Sequence, residues 1–266
     1  MRNKLYNLNY LQNILQYCND SQLKKKINER IECINNISNN DMFLKKIELE
    51  IEPVNINNFD NDGRISCIIL TYNEERCIER CLRSIINCFD EIIVIDTGST
   101  DKTIEIVESF NEKIILYKTK WNDDFSEIRN FAIKKAQSDW IFFVDADEYL
   151  IDMTYEKLHR YICGFNQFSK RDQLILSPTI IDEGIEYYHR DVPRIFYNSN
   201  NISYFGAIHE EIRLKYGVPL LLNTDIIMHH DGYKIDVFVK KNKKERNLKI
   251  LKHMIKKEPE NTRWKY

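Results

Sequence analysis

Two aspartates one residue apart, Asp145 and Asp147, close the apolar run WIFFV of residues 140–144. Carboxylates at the end of a buried segment cost on the order of several kcal/mol unless something pairs with them. In extended chain, positions two apart face the same way. Two hard oxygen ligands side by side suit Mg²⁺ or Mn²⁺, with water and substrate phosphates completing the shell. Carboxylates standing in solvent on a loop are the plainer alternative. An EF-hand is excluded, because Tyr149 occupies the third ligand position and no glycine follows.

The elements that must position these acids are legible. RISCIIL (64–70), EIIVID (91–96), KIILYKT (113–119) and WIFFVD (140–145) are apolar runs of strand length. They alternate with helical patterns at 74–89, 102–110 and 125–136, the second opening on Ser99-Thr100-Asp101. Continuous apolar strands alternating with helices define an α/β fold with a parallel sheet covered on both faces. Ligands of such sheets bind beyond the carboxyl ends of the strands. Those ends read Thr71-Tyr72-Asn73-Glu74, Asp96-Thr97-Gly98-Ser99 and Asp145-Ala146-Asp147-Glu148. Polar and acidic residues therefore gather where the site belongs. LTYNEERC after the first strand contains no glycine, which excludes a dinucleotide fingerprint and a phosphate-cradling P-loop.

Around this core, residues 1–34 have the periodicity of two short amphipathic helices, packed as a hairpin on the main domain. Residues 35–63 read as a linker rich in Asn and Asp. After 150, LILSPTI, RIFYN and TDIIMHH are strands of a mixed-sheet extension that completes a cleft. From 234 the chain turns basic and helical, with Leu248, Leu251 and Ile255 on one face; a solvated helix, or a docking surface for an acidic acceptor or an anionic membrane, fits that pattern. The expected division is 1–63 helical extension and linker, 64–233 main domain, 234–266 basic helical tail.

The 266 residues are 43% hydrophobic and 30% charged, enough for a real core. A net charge of −2 speaks against a general polyanion binder, so no nucleic-acid partner is expected. No stretch is long and apolar enough to span a membrane, and the N-terminus lacks the pattern of a signal peptide. The seven cysteines form no C-x-x-C pairs; Cys77 and Cys81, a helical turn apart, read better as reduced, buried thiols of a cytoplasmic chain than as zinc ligands.

CIILTYNEERCIERCLRSI, EIIVIDTGSTDKT, DFSEIRNFAIKKA and WIFFVDADEYL together resemble the successive signatures of family 2 glycosyltransferases, with their nucleotide-sugar-binding GT-A fold. RIFYN, ISYFGAIHEEI and HHDGY resemble a subgroup that includes cell-envelope sugar transferases. The spacing and the ending are most similar to peptide S-glycosyltransferases acting on cysteine in sublancin-like bacteriocins. The resemblance covers roughly residues 65–266.

It implies an inverting, metal-dependent transfer from a UDP-sugar to a peptide cysteine or serine, or to an envelope glycan. Thr71, Tyr72, Asn73, Glu74, Asp96, Gly98 and Ser99 would line the nucleoside side, with Arg129, Asp145, Ala146 and Asp147 toward the diphosphate. Many relatives carry two adjacent acids where this chain has Asp96-Thr97. Asp145, Asp147 and His230 would hold Mn²⁺ or Mg²⁺. An inverting displacement needs a carboxylate to take the acceptor's proton; Glu210 is the first candidate, with Glu211 and Asp191 behind it. A cysteine acceptor would need less help than a hydroxyl, because its thiol is more acidic. Relatives of this kind continue into a helical-repeat region that this sequence does not reach at Tyr266. Either the molecule lacks it or the chain is a fragment, so acceptor docking and a homodimer are not carried over. A haloacid-dehalogenase-like phosphohydrolase also ends a strand in D-x-D. It prefers Thr or Val where Tyr149 stands, and it starts its domain with that strand.

Overall fold

The computed structural model describes residues 63–110, 113–166, 170–184, 188–231 and 243–265, with positions 25 and 28 near the N-terminus. The expected N-terminal helical hairpin, apart from those two helical positions, and the linker up to residue 62 lie outside these residues.

The strands are β1 (Ile65–Thr71), β2 (Glu91–Asp96), β3 (Ile115–Lys118), β4 (Trp140–Asp145), β5 (Glu148–Leu150), β6 (Leu174–Asp182), β7 (Tyr188–His189), β8 (Ile195–Tyr197), β9 (Ile202–Phe205), β10 (Glu211–Leu214) and β11 (Leu220–His230). The helices are α1 (Ile78–Ile85), α2 (Thr103–Glu108), α3 (Phe125–Ile133), α4 (Tyr155–Asn166) and α5 (Lys243–Lys257). One nine-stranded sheet runs β3-β2-β1-β4-β8-β6-β11-β5, with β7 beside β6; β9 and β10 form a separate hairpin. β3, β2, β1 and β4 are mutually parallel, as read from the sequence. Beyond them β8 inserts antiparallel between β4 and β6, while β11 returns parallel to β6.

Alternation along each central strand divides the core into two layers. Ile65, Cys67 and Ile69 of β1 join Trp140, Phe142 and Val144 of β4 under α1 and α4. Ile68, Ile141 and Phe143 face the other way, against Ile128 and Ala132 of α3 and Tyr204 of β9. β3 is a half-exposed edge, with Ile115 40% exposed, so the apolar run there overstated its burial.

Local chemistry starts the site-bearing helices where the sequence suggested. Asp101 accepts the Thr103 backbone N–H (2.9 Å) at the start of α2, and Asp124 caps α3 by accepting from Glu127 N–H at 3.0 Å. Arg129 and Asn130 of α3 then point to different tasks. The Asn130 amide exchanges two 2.8 Å hydrogen bonds with the Tyr204 backbone, which ties α3 to β9. α5 buries Ile250 and Met254 against Ala207, Ile208 and Trp264, while Leu248 and Ile255 stay exposed. Its buried stripe is therefore offset from the one read in the sequence, which was placed without the loop that α5 packs on.

Candidate functional site

Register places the strand ends in one row. Thr71 of β1 lies opposite Asp96 of β2, and Leu70 lies opposite Asp145 of β4. Asp96 is buried; its Oδ1 accepts the backbone N–H groups of Gly98 (2.9 Å) and Ser99 (3.0 Å), and its Oδ2 has no hydrogen-bond partner. Gly98 sits at φ +110° with nothing near the place of a Cβ, so its glycine serves the backbone turn. Thr71 Oγ1 is a second buried polar atom without a partner among the described residues. The Thr97 hydroxyl, where relatives carry a second acid, is spent on the Thr71 carbonyl at 3.1 Å. Asn73, at φ 54°, donates its backbone N–H to Ser99 Oγ (2.8 Å) and accepts from Thr100 N–H (2.8 Å). Glu74 donates its N–H to Thr103 Oγ1 at 2.7 Å, and the Tyr72 ring is half exposed beside them. The β1 and β2 loops are thus knitted into one rim.

The two aspartates do not stand side by side on an extended strand. β4 ends at Asp145 and the chain turns at Ala146 and Asp147, so the pair diverges. The Asp145 carboxylate meets Arg194 Nη2 at 2.7 Å and Arg129 Nη2 at 3.4 Å. Burial would raise its pKa, but the two guanidiniums outweigh that and hold it well below the usual carboxylate range. The charge at the end of β4 is therefore offset by arginines. Arg194 also reaches Glu148 Oε1 at 2.6 Å, and Glu148 Oε2 accepts the Asp145 backbone N–H at 2.8 Å. Burial pushes Glu148 up to about 7 against the pull of Arg194.

Asp147, also buried, turns to the end of β11, where His230 Nε2 lies 3.5 Å from its Oδ2. His230 Nδ1 is 2.7 Å from Asp182 Oδ1, and the other Asp182 oxygen is 3.0 Å from His189 Nε2. Burial would lower the His230 pKa, yet its bonds to Asp147 and Asp182 raise it to about 9. The next residue, Asp231, is gripped by Arg76 (2.7 and 2.9 Å) and Arg80 (2.7 Å), and these arginines keep it at about 2 despite burial. Its backbone N–H bonds the Asp147 carbonyl at 3.2 Å, which fixes the β11 end against the aspartate turn.

Among the described residues no three His, Cys, Asp or Glu side chains gather to hold an ion by themselves. Asp147 and His230 nevertheless fit as two neighbouring ligands, since adjacent ligands of Mg²⁺ or Mn²⁺ lie roughly 3 Å apart and water or phosphate fills the remainder. A carboxylate on the far nitrogen, as Asp182 provides, is the usual partner of a metal-binding histidine.

The three base candidates separate. Glu210 Oε1 accepts from Arg129 Nε at 2.6 Å, which brings Glu210 into the Asp145 network. Glu211 begins β10 and bonds Arg213 at 2.8 Å; Asp191 is exposed on the loop between β7 and β8. Arg129 is buried against the faces of Phe143 and Tyr204. Sequence reasoning missed Arg194, Asp182 and the Arg76–Asp231–Arg80 clamp. The one available signal was an arginine directly before the apolar strand IFY, a position that becomes buried when that strand pairs antiparallel with the first half of β4 and so brings Arg194 beside Phe143.

Strand-end acids on a parallel sheet thus lie beside a histidine at the end of a later strand. Residues 66–209, more than half of the chain, match the model of glycosyl transferase family 2. The chain belongs to that family, and its strand order is the α/β arrangement with a parallel run of strands that the signatures imply. It is similar to the SPbeta prophage-derived glycosyltransferase SunS of Bacillus subtilis, 32% identical over 201 residues, which make up 75% of this chain and 47% of SunS. A TPR repeat-containing protein of Synechococcus elongatus is 34% identical over 152 residues, 56% of this chain and 35% of that protein. The chain thus spans about half or less of the length of these relatives. Among solved structures, S. aureus TarS aligns with a TM-score of 0.49 at 18% identity over 72% of this chain and 40% of TarS. TarS 1-349 in complex with UDP-GlcNAc aligns at 0.42 and 22% identity, over 62% and 55% of the two chains. No helix among the described residues is long and apolar enough to cross a membrane.

Proposed function

We propose that the chain transfers a sugar, with inversion, from a UDP-sugar to a cysteine or serine side chain of a peptide. The observation that carries this reading is the pair of buried oxygens, Asp96 Oδ2 and Thr71 Oγ1, that find no partner among the described residues, on adjacent strand ends inside the knitted β1–β2 rim. A buried carboxylate oxygen without a donor is costly. The imide N–H of a uracil base would supply that donor, with the Tyr72 ring beside it. The likeness to SunS favours a peptide acceptor.

Asp147 and His230 would hold Mn²⁺ or Mg²⁺, which when bound neutralises charge on the departing diphosphate. Arg129 and Arg194 add fixed positive charge to that side of the site. Glu210 takes the proton from the acceptor's thiol or hydroxyl as the sulfur or oxygen bonds the anomeric carbon; the bond from that carbon to the diphosphate breaks and UDP leaves. Glu211, bonded to Arg213, and the exposed Asp191 are less well placed for this step.

Calorimetric titration of UDP-glucose and UDP-GlcNAc, with Mn²⁺ and with chelator, tests the donor side on the native chain and on Asp147→Ala. Binding that needs metal and disappears in the variant supports the reading; absence of binding for both donors overturns it. Mass spectrometry of cysteine-only and serine-only peptides after incubation then identifies the acceptor, and glycosylation of neither would shift the assignment to a glycan.

A further inference from the structure

The family match ends at residue 209, yet the turn that carries Glu210 is roofed by residues more than forty positions further on. Residues 206–210 link the two strands of the β9–β10 hairpin. Gly206 sits at φ +102°, and a Cβ there would lie 2.8 Å from Trp264 Cη2 and 3.6 Å from the Glu210 Cα. The Trp264 indole therefore rests on the bare backbone of Gly206, beside the root of Glu210. Trp264 is itself fixed. It is buried among Ala207, Ile208, Ile250 and Met254, and its indole N–H donates to Glu258 at 3.0 Å. On the far side of the turn, the Ala207 carbonyl accepts the Phe125 N–H (3.0 Å) at the start of α3, the helix whose Arg129 pairs with Glu210. Lys249 of α5 adds a 2.6 Å ion pair with Asp123, just before α3.

We propose that Trp264 is a positioning residue for sugar transfer: seated on Gly206, it holds the 206–210 turn so that Glu210 stays on Arg129. The C-terminal segment is on this account a working part of the transfer site. The inference rests on Glu210 being the base, and it goes beyond that reading by assigning the residue that aims it. Gly206 is required because only a residue without a Cβ lets the indole come this close. The Asp147–His230 side of the site is built from β4 and β11 and does not depend on Trp264.

The test uses the full chain with UDP-glucose or UDP-GlcNAc, whichever binds, and Mn²⁺. Donor affinity is read by calorimetry, and turnover as UDP release with and without a cysteine peptide. The variants are Trp264→Leu, which keeps an apolar side chain but lifts the ring from Gly206, Trp264→Phe, Glu210→Gln, and the double Trp264→Leu/Glu210→Gln. Loss of carboxylate alignment should cut kcat in Trp264→Leu on the order of ten- to hundred-fold. Donor affinity should stay within about two-fold, Trp264→Phe should recover part of the rate, and the double variant should be no slower than Glu210→Gln alone. An unchanged kcat in Trp264→Leu overturns the proposal, as does a parallel fall of donor affinity and kcat that marks general loosening. Full turnover by Glu210→Gln would instead remove the base assignment on which the inference stands.

Discussion

Replacing Arg194 with methionine, which is similar in length and uncharged, isolates two ion pairs at the end of β4, one with the buried Glu148 and one with the partly exposed Asp145. Arg194 contacts Asp145 at 2.7 Å and Glu148 at 2.6 Å and is itself buried. At an effective dielectric of about 20, each contact represents roughly 6 kcal/mol of gross attraction, most of it cancelled by desolvation. Truncating one partner of a buried pair leaves the other charge stranded, which costs about 3–5 kcal/mol. The loss should depend on pH. Burial has already pushed Glu148 up to about 7, so above that value both carboxylates are charged and both lose their counter-ion. Near pH 5.5 Glu148 carries a proton, and only the Asp145 contact is lost, with Arg129 still beside it. Urea denaturation of the native chain and Arg194→Met should therefore differ by about 3–5 kcal/mol at pH 8 and by about 1–2 kcal/mol at pH 5.5. Adding Glu148→Gln should recover much of the pH 8 loss. An equal loss at both pH values, or a loss below about 1 kcal/mol at pH 8, would refute the idea that Arg194 balances these acids.

His230, raised to about 9 from an ordinary 6.5 by Asp147 and Asp182 against the opposing effect of burial, stabilises the fold in its protonated form. That contribution is full below pH 6.5 and is lost as pH rises through 9, worth up to about 3 kcal/mol. Denaturation curves in chelator at the two ends of this window should show the loss in the native chain and a much smaller one in His230→Asn. Thr71→Val removes a buried hydroxyl that has no partner, so unfolding should be unchanged or up to about 1 kcal/mol harder, while calorimetry should show weaker UDP binding. Gly206→Ala places a Cβ against Trp264 at a left-handed φ and should lower stability by about 1–3 kcal/mol, read as a lower melting temperature.

The parallel half of the sheet was legible because β1, β2 and β4 are buried on both faces, which leaves unbroken apolar runs that no surface element produces. The D-x-D element was legible as residue types but not as geometry. Hydrophobic periodicity does not mark the point at which a strand turns, and the turn at Ala146-Asp147 sends the carboxylates to different partners. Arg194 and Asp182 were hidden for another reason. Arg194 stands just before β8 and Asp182 ends β6, where a charge reads as loop, and only the insertion of β8 and the return of β11 bring them to partners 46 to 49 residues away. Cys67, Cys77, Cys81 and Cys88 are buried, as the apolar runs that hold them implied.

Those four thiols have one more consequence. If the proposed transfer to cysteine holds, the enzyme carries rival acceptors in its own chain. Cys67 and Cys81 lie in the core against the strand that bears the aspartates, and Cys77 stands 3.2 Å from the Glu74 carboxylate on the nucleoside rim. Burial pushes all four up and away from the reactive thiolate, most strongly Cys67 and Cys81. The packing that builds the sheet thereby shields these cysteines from becoming the enzyme's own product.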